Sequence, residues 1–504
     1  MSVRSQISFA AVILMTTVAA LSQEPVLAPT HTYPASLVRV QVADLNGNNA
    51  PEIIGLDTTS HAVVVLQNLG NGTYGPATYY AISGQPNGIA VGDFNGDGKL
   101  DVAVAIGTYN DPSGHVAVLR GNGDGTLQLP MYYTVPVPAD SIAVGDFNND
   151  NKPDIAVIGN TNNNGTNTVA ILTNTGSSFS LTSFTAPTYY TANGFGADAD
   201  YIDYLVAGDF NGDGRIDLAY LDGCSQCSVS SEQLFILANT TTGWQAKMPA
   251  GGTGSTSLRA ADIDGDGITD LVIPFRGCHT PCVGVAVLYM KSDFTVANTQ
   301  SLDVLNSQDG PTPLDVVVGD FNNDGLSDIA GYSGGGSDMN FNQLPPGIMM
   351  WTGKGNRLFN KLKYYNQPNP PTLYFPPYTA AGFLNKDGTR DLVVPFGTNA
   401  QVWMNSTSNP ADPCPYPTSG GVHVCAPSAH VPSGTVHFLA SARTNTQPLK
   451  RIELWIDGHK RSQLFTDRMN INLPIPNGTH TADFFEVGAS GLHIKKTVVF
   501  KVGN

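Results

Sequence analysis

An all-β chain is what this sequence predicts, and three observations carry the prediction. The 504 residues include 54 glycines and 34 prolines spread along the whole length, the chemistry of many turns. Charged residues make up 13%, about half the share of an average globular chain, which argues against a charge-laced helical protein. Short β-branched runs recur at regular distances, with Gly, Asn and Asp clusters between them, as strands joined by tight turns do. The length exceeds one ordinary core and suits a large repeat structure with an added domain.

Residues 1–22 come first and read as a signal peptide. Arg4 supplies a positive start, Ile7 to Leu21 are apolar, and the small residues Ala20 and Ser22 stand before Gln23. The apolar run falls short of the roughly 18–20 residues that span a bilayer. The protein is therefore expected to be secreted, extracellular or at the cell surface, with no transmembrane segment beyond the signal.

A nine-residue acidic loop then recurs seven times. The five strong copies place Asp93, Asn95, Asp97, Lys99 and Asp101 at positions 1, 3, 5, 7 and 9, followed by Asp146, Asn148, Asp150, Lys152 and Asp154. Asp209, Asn211, Asp213, Arg215 and Asp217 repeat the pattern, as do Asp262, Asp264, Asp266, Ile268 and Asp270, then Asp320, Asn322, Asp324, Leu326 and Asp328. Two weaker copies bracket these: Asp44, Asn46, Asn48, Ala50 and Glu52, and a last one running from Phe383 to Asp391. A hard cation such as Ca²⁺ takes six to eight oxygens at about 2.3–2.6 Å. Side chains at positions 1, 3 and 5 converge on one point, the carbonyl at position 7 adds an oxygen, and position 9 offers two more. Gly or Asn at position 6 permits the left-handed backbone of a sharp turn. Mg²⁺ fits less well because it demands octahedral geometry and keeps its waters. The net charge of −16 weighs against a polyanionic nucleic-acid partner and is concentrated in these loops.

The flanks decide the fold. Ile89–Gly92, Ile142–Gly145, Leu205–Gly208 and Val316–Gly319 precede loops, and β-branched runs from Val102, Ile155, Leu218 and Leu271 follow them. Each loop thus joins two strands, whereas an EF-hand needs flanking helices and a longer loop. A third run (Val63–Leu66, Val116–Leu119, Val169–Leu172, Leu234–Leu237, Val285–Leu288) and a more polar fourth follow in most repeats. Four antiparallel strands in each unit of this size are the arithmetic of a propeller blade. A seven-bladed β-propeller over residues 30–408 is expected. Its last repeat shows three strands, so the segment near His31 to Tyr33 is expected to supply the fourth and close the ring.

The Gly-Asp-Phe-Asn-Gly-Asp-Gly loop at 92–98, with its flanking strands, resembles the FG-GAP/VCBS repeats of integrin α-subunit propellers and related bacterial secreted proteins. The resemblance covers about three-quarters of the chain. It implies a propeller that binds Ca²⁺ in loops on one face, with the residues named above as ligands. Phe383 cannot coordinate at position 1, and the first loop has only two carboxylates, so four or five ions are expected.

Residues 409–417 read as a Pro-rich linker and 418–504 as a small Ig-like β-sandwich. Strands are expected over Val436–Ala442, Arg451–Ile456, Asn470–Leu473, Thr481–Phe485 and Thr497–Val502, with an Asp457-Gly458 hairpin turn. The six cysteines fall as three local pairs, Cys224/Cys227, Cys278/Cys282 and Cys414/Cys425, which an exported chain is expected to oxidise.

Catalytic motifs are absent. Gly331-Tyr-Ser333-Gly-Gly335 matches a nucleophile elbow in letters, but the glycines that follow start no helix. Tyr189, Tyr190, Tyr332, Tyr374 and Tyr378 are the candidate ligand-binding aromatics, placed on loops opposite the acidic ones. The expected function is an exported calcium-binding propeller acting as a non-catalytic binding or adhesion module for extracellular carbohydrate or protein. A polysaccharide lyase or hydrolase on the same scaffold, and a purely structural cell-surface module, are the alternatives.

Overall fold

The computed structural model describes residues 24–503 except 49, 109–112, 151, 161–165, 177–183, 185–187, 194–203, 223–232, 249–256, 277–282, 304–312, 325, 338–342, 368–377, 386, 388, 397, 408–420, 428, 432–433, 444–448, 465–467 and 489–492. The expected signal segment, the expected linker, and Cys224, Cys227, Cys278, Cys282, Cys414 and Tyr374 therefore lie outside the described residues.

Every regular element among the described residues is a strand. Among the described residues, seven sheets have four strands each. In the second sheet, for example, Pro86–Gly92 pairs with Asp101–Ile106, which pairs with Gly114–Leu119, then Met131–Val135, all antiparallel. The acidic loop is the connection between the first and second strands. The second strands are buried along their whole length in four sheets, Glu52–Asp57, Asp101–Ile106, Asp328–Ser333 and Asp391–Phe396. They carry continuous Val, Ile and Ala runs because neighbouring sheets cover both faces. Outer strands such as Tyr74–Ala81 are mostly exposed or half-buried and accordingly more polar.

Consecutive sheets are joined by apolar clusters. Val118 and Tyr133 of the second sheet pack with Ile155 and Leu172 of the third, and Leu234 and Ile236 of the fourth with Leu271 and Ile273 of the fifth. The same kind of cluster joins the seventh sheet to the first, through Leu384, Val393 and Val402 against Leu37, Ile53 and Val64. The seventh sheet is completed from the other end of the chain. Leu27–Tyr33 pairs antiparallel with Asn399–Asn405, outside Asp391–Phe396 and Ala380–Gly382. The closing strand thus begins at Leu27, ahead of the boundary expected at residue 30.

The C-terminal region forms two further sheets, one of three strands and one of five. Val436, Phe438 and Met469 of the first share a core with Leu454, Phe484 and Phe500 of the second. All five expected strands are present, extended at their ends. Asp457 and Gly458 turn with φ of 52° and 81°, so Ile456 pairs with His459, as a two-residue hairpin with left-handed central residues requires. Cys425 lies on the strand Gly421–Ala426.

Candidate cation-binding loops

The seven loops share one hydrogen-bond plan. The position 5 side chain accepts from the backbone N–H two residues on, at 2.7–2.9 Å in every loop. The position 3 side chain accepts from the position 5 N–H in the same way. These are Asx turns, which Asp and Asn form because a short side-chain oxygen reaches its own backbone two residues ahead. Position 1 caps the loop: Asp93 Oδ1 accepts from Gly96 and Asp97, and its Oδ2 from Gly98. Asp209 repeats this from Gly212, Asp213 and Gly214. The backbone is left-handed at position 6, as expected, in Gly98, Gly214 and Gly267. It is left-handed at position 4 as well, in Gly47, Gly96, Asn149, Gly212, Gly265 and Asn323.

Position 9 has a task that the spacing did not disclose. One carboxylate oxygen accepts from the position 2 N–H at 2.7–3.0 Å in all seven loops, the first loop using Glu52. In six loops the other oxygen accepts, at 2.7–2.9 Å, from an N–H at or just beyond the end of the third strand of the same sheet. The residue ties the loop to its blade. Both oxygens are engaged, so closure of an ion shell falls to their remaining lone pairs. The apolar residue at position 2 is pushed inward by the same bond, and Phe94, Phe210, Phe321 and Leu384 are buried.

A second device links one sheet to the next. Asn174 Nδ2 donates to the Phe94 carbonyl at 2.7 Å, Asn239 to Phe147 at 2.7 Å, Asn405 to Phe321 at 2.6 Å and Asn68 to Leu384 at 2.7 Å. In each case an Asn at or just past the end of the third strand of one sheet holds position 2 of the preceding loop, the first sheet reaching round to the last. Sequence reasoning missed these residues. The signal was available as an Asn two places past a large apolar residue near the end of the third strand, in Leu66-Gln-Asn68, Leu172-Thr-Asn174, Leu237-Ala-Asn239 and Trp403-Met-Asn405.

The donor set fits a divalent cation. In the fifth loop a carboxylate oxygen each from Asp262, Asp264 and Asp270 lie within 4.8 Å of one another. Burial pushes Asp262 up to about 7 and Asp270 to about 8, and the neighbouring carboxylates add to both shifts. Burial likewise raises Asp101 to about 8, Asp154 and Asp217 to about 7, Asp209 to about 6, and Asp328 well above the usual range. Buried carboxylates that repel one another are costly as anions, and a bound cation offsets both costs. The seventh loop lacks the first donor, and its Phe383 ring is covered instead by the Arg390 guanidinium at 4.7 Å.

Among the described residues, the candidate aromatics do not form one patch. Tyr332 is fully buried, edge-on to Phe396 and hydrogen-bonded to Gln367, so it is a core residue and not a ligand contact. Its strand is covered on both faces, which its place in a Gly-rich sequence concealed. Tyr190 packs on Trp244 of the next sheet, while Tyr189 is 47% exposed. Tyr378 lies beneath the Arg39 guanidinium at 3.8 Å and against Tyr204 at 5.4 Å. Ser333 ends a buried strand and is itself buried, so the elbow-like motif starts no helix.

Four overlapping stretches, 44–104, 93–157, 146–220 and 209–273, match the FG-GAP-like repeat family. These stretches give four tandem FG-GAP-like repeats between residues 44 and 273. No curated protein matches the chain. Among solved structures, BBS1N in complex with ARL6DN, soaked with mercury, is 12% identical, with a TM-score of 0.47 over 76% of this chain and 98% of that one. The extracellular domain of BT4673 from B. thetaiotaomicron is 9% identical, with a TM-score of 0.42 over 95% and 58%. The Dos1 propeller is 12% identical, with a TM-score of 0.38 over 75% and 95%. The four FG-GAP-like repeats and the repeated four-stranded sheets support an all-β propeller fold. No helix among the described residues is long and apolar enough to cross a membrane.

Proposed function

We propose that the chain is an exported seven-bladed FG-GAP propeller with an appended Ig-like sandwich, stabilised by Ca²⁺ in loops two to six. It acts as a non-catalytic module binding extracellular carbohydrate or protein. The observation that carries the cation reading is the convergence of the Asp262, Asp264 and Asp270 oxygens, on a loop plan repeated around the sheets. The seven four-stranded sheets, joined last to first, support the blade count. Asp and Asn at positions 1, 3 and 5 would hold the ion, with help from position 9. The ion supplies charge neutralisation and rigidity, so the ring presents fixed loops on its opposite face, where a propeller binds partners without chemistry of its own.

Metal analysis of the purified protein tests the first half, with four or five Ca²⁺ per chain expected. A glycan and protein array, run with and without chelator, tests the second. Turnover of a polysaccharide panel by the purified protein would overturn the non-catalytic reading, and absence of bound calcium at millimolar supply would overturn the loop assignment.

A further inference from the structure

The fifth loop differs from the other strong loops in the charge of its position 3 residue. Position 3 is Asn95, Asn148, Asn211 and Asn322 elsewhere, but Asp264 here, which gives this loop a fourth carboxylate. The structure supplies a matching positive charge from the next sheet. Arg357 Nε lies 2.5 Å from Asp264 Oδ2, and Nη2 lies 3.8 Å from Asp266 Oδ2. The guanidinium also covers the ring of Tyr289, at 4.6 Å from its centre, on the third strand of the fifth sheet. Asp264 is nearly buried on its side chain, at 8% exposure, and Arg357 is 34% exposed.

The position of Arg357 is unusual for its residue type. It sits in the turn between Gly353–Gly355 and Leu358–Phe359, with Asn356 at φ 52° and Arg357 at φ 62°. Turns with two left-handed central residues favour Asn followed by Gly. An arginine in the glycine place is strained, and strain of this kind persists where the side chain has a task. Its head reaches across 93 positions of sequence to the carboxylates that distinguish the fifth loop.

From this match we infer that Arg357 is a tethered counter-cation that sets the cation affinity of the fifth loop. It cancels the additional charge of Asp264 and clamps the fifth sheet to the sixth when no ion is bound. A divalent ion entering the loop must share Asp264 with the guanidinium and bear its repulsion, so this loop fills last. The inference rests on the reading of the loops as cation sites and names what regulates one of them.

The test is calcium titration calorimetry on the full chain and on Arg357→Gln, with melting temperatures recorded in chelator and in saturating calcium. Removing a positive charge beside a divalent ion is expected to tighten one site by about tenfold at low salt. The ion-free melting temperature should fall in the variant, and the difference should shrink in calcium. Arg357→Lys, which keeps the charge without the planar fork, should retain the weaker affinity. Adding Asp264→Asn to Arg357→Gln rebuilds the Asn-type loop and should bring the fifth site to the affinity of the others. Calcium bound alike by the parent and Arg357→Gln, with equal ion-free melting temperatures, overturns this inference and leaves the cation reading standing. No calcium bound by either protein overturns both.

Discussion

Asn239→Ala probes the link between neighbouring sheets. The side chain is buried, and its Nδ2 donates to the Phe147 carbonyl at 2.7 Å and to the Ile216 carbonyl at 3.2 Å. Its backbone N–H, which donates to Asp217 Oδ1, is untouched by the change. Truncation leaves two carbonyls without a donor where water does not readily reach. A buried polar group left unpaired costs about 1–3 kcal/mol, so a loss of about 2–6 kcal/mol is expected for the two. Asn239→Asp keeps the volume but turns an oxygen towards both carbonyls, and should cost at least as much. Guanidinium denaturation of the calcium-saturated protein reads both, with exposed Gln245→Ala as a control expected within about 0.5 kcal/mol. A loss below about 0.5 kcal/mol in both Asn239 variants would refute the argument that the sheets are tied through this amide.

Three further outcomes are expected. The carboxylates of Asp101, Asp154, Asp217 and Asp270 are raised by burial to about 7 or 8, so the folded ion-free chain holds protons that the unfolded chain has released. Its stability should therefore fall as pH rises from about 4 to about 8; melting in chelator across that range checks the sign, and saturating calcium should reverse it. Phe210→Ala, at a fully buried position 2, should cost about 3–5 kcal/mol in the same denaturation assay while leaving the loop carboxylates in place. Asp209→Ala removes the acceptor of three loop N–H groups and a proposed calcium ligand, so equilibrium dialysis should count about one fewer calcium ion per chain.

Much of this was legible from local pattern. The loop spacing, the left-handed position 6 and the runs on either side are encoded within about a dozen residues, and the strands stand where those runs lie. The closing strand at Leu27–Tyr33 was legible by counting, since a blade with three strands needs a fourth. What escaped was non-local. Asn239 meets a carbonyl 92 residues away, and Arg357 a carboxylate 93 away, and no short window contains either pair. Tyr332 was misjudged because an aromatic next to glycines reads as a loop residue, while its burial comes from sheets that lie elsewhere in the sequence. The position 9 acids carry a double duty that spacing alone presents as one.

The seventh sheet joins segments made at opposite times. Leu27–Tyr33 leaves the ribosome early, yet its partner Asn399–Asn405 appears only some 370 residues later, with six other sheets synthesised in between. At about 5–20 residues per second, the early segment waits tens of seconds with an unsatisfied backbone edge. Whatever accompanies the nascent chain through that interval must keep that edge from pairing with a stranger, and the ring locks only when its last-made strand meets its first.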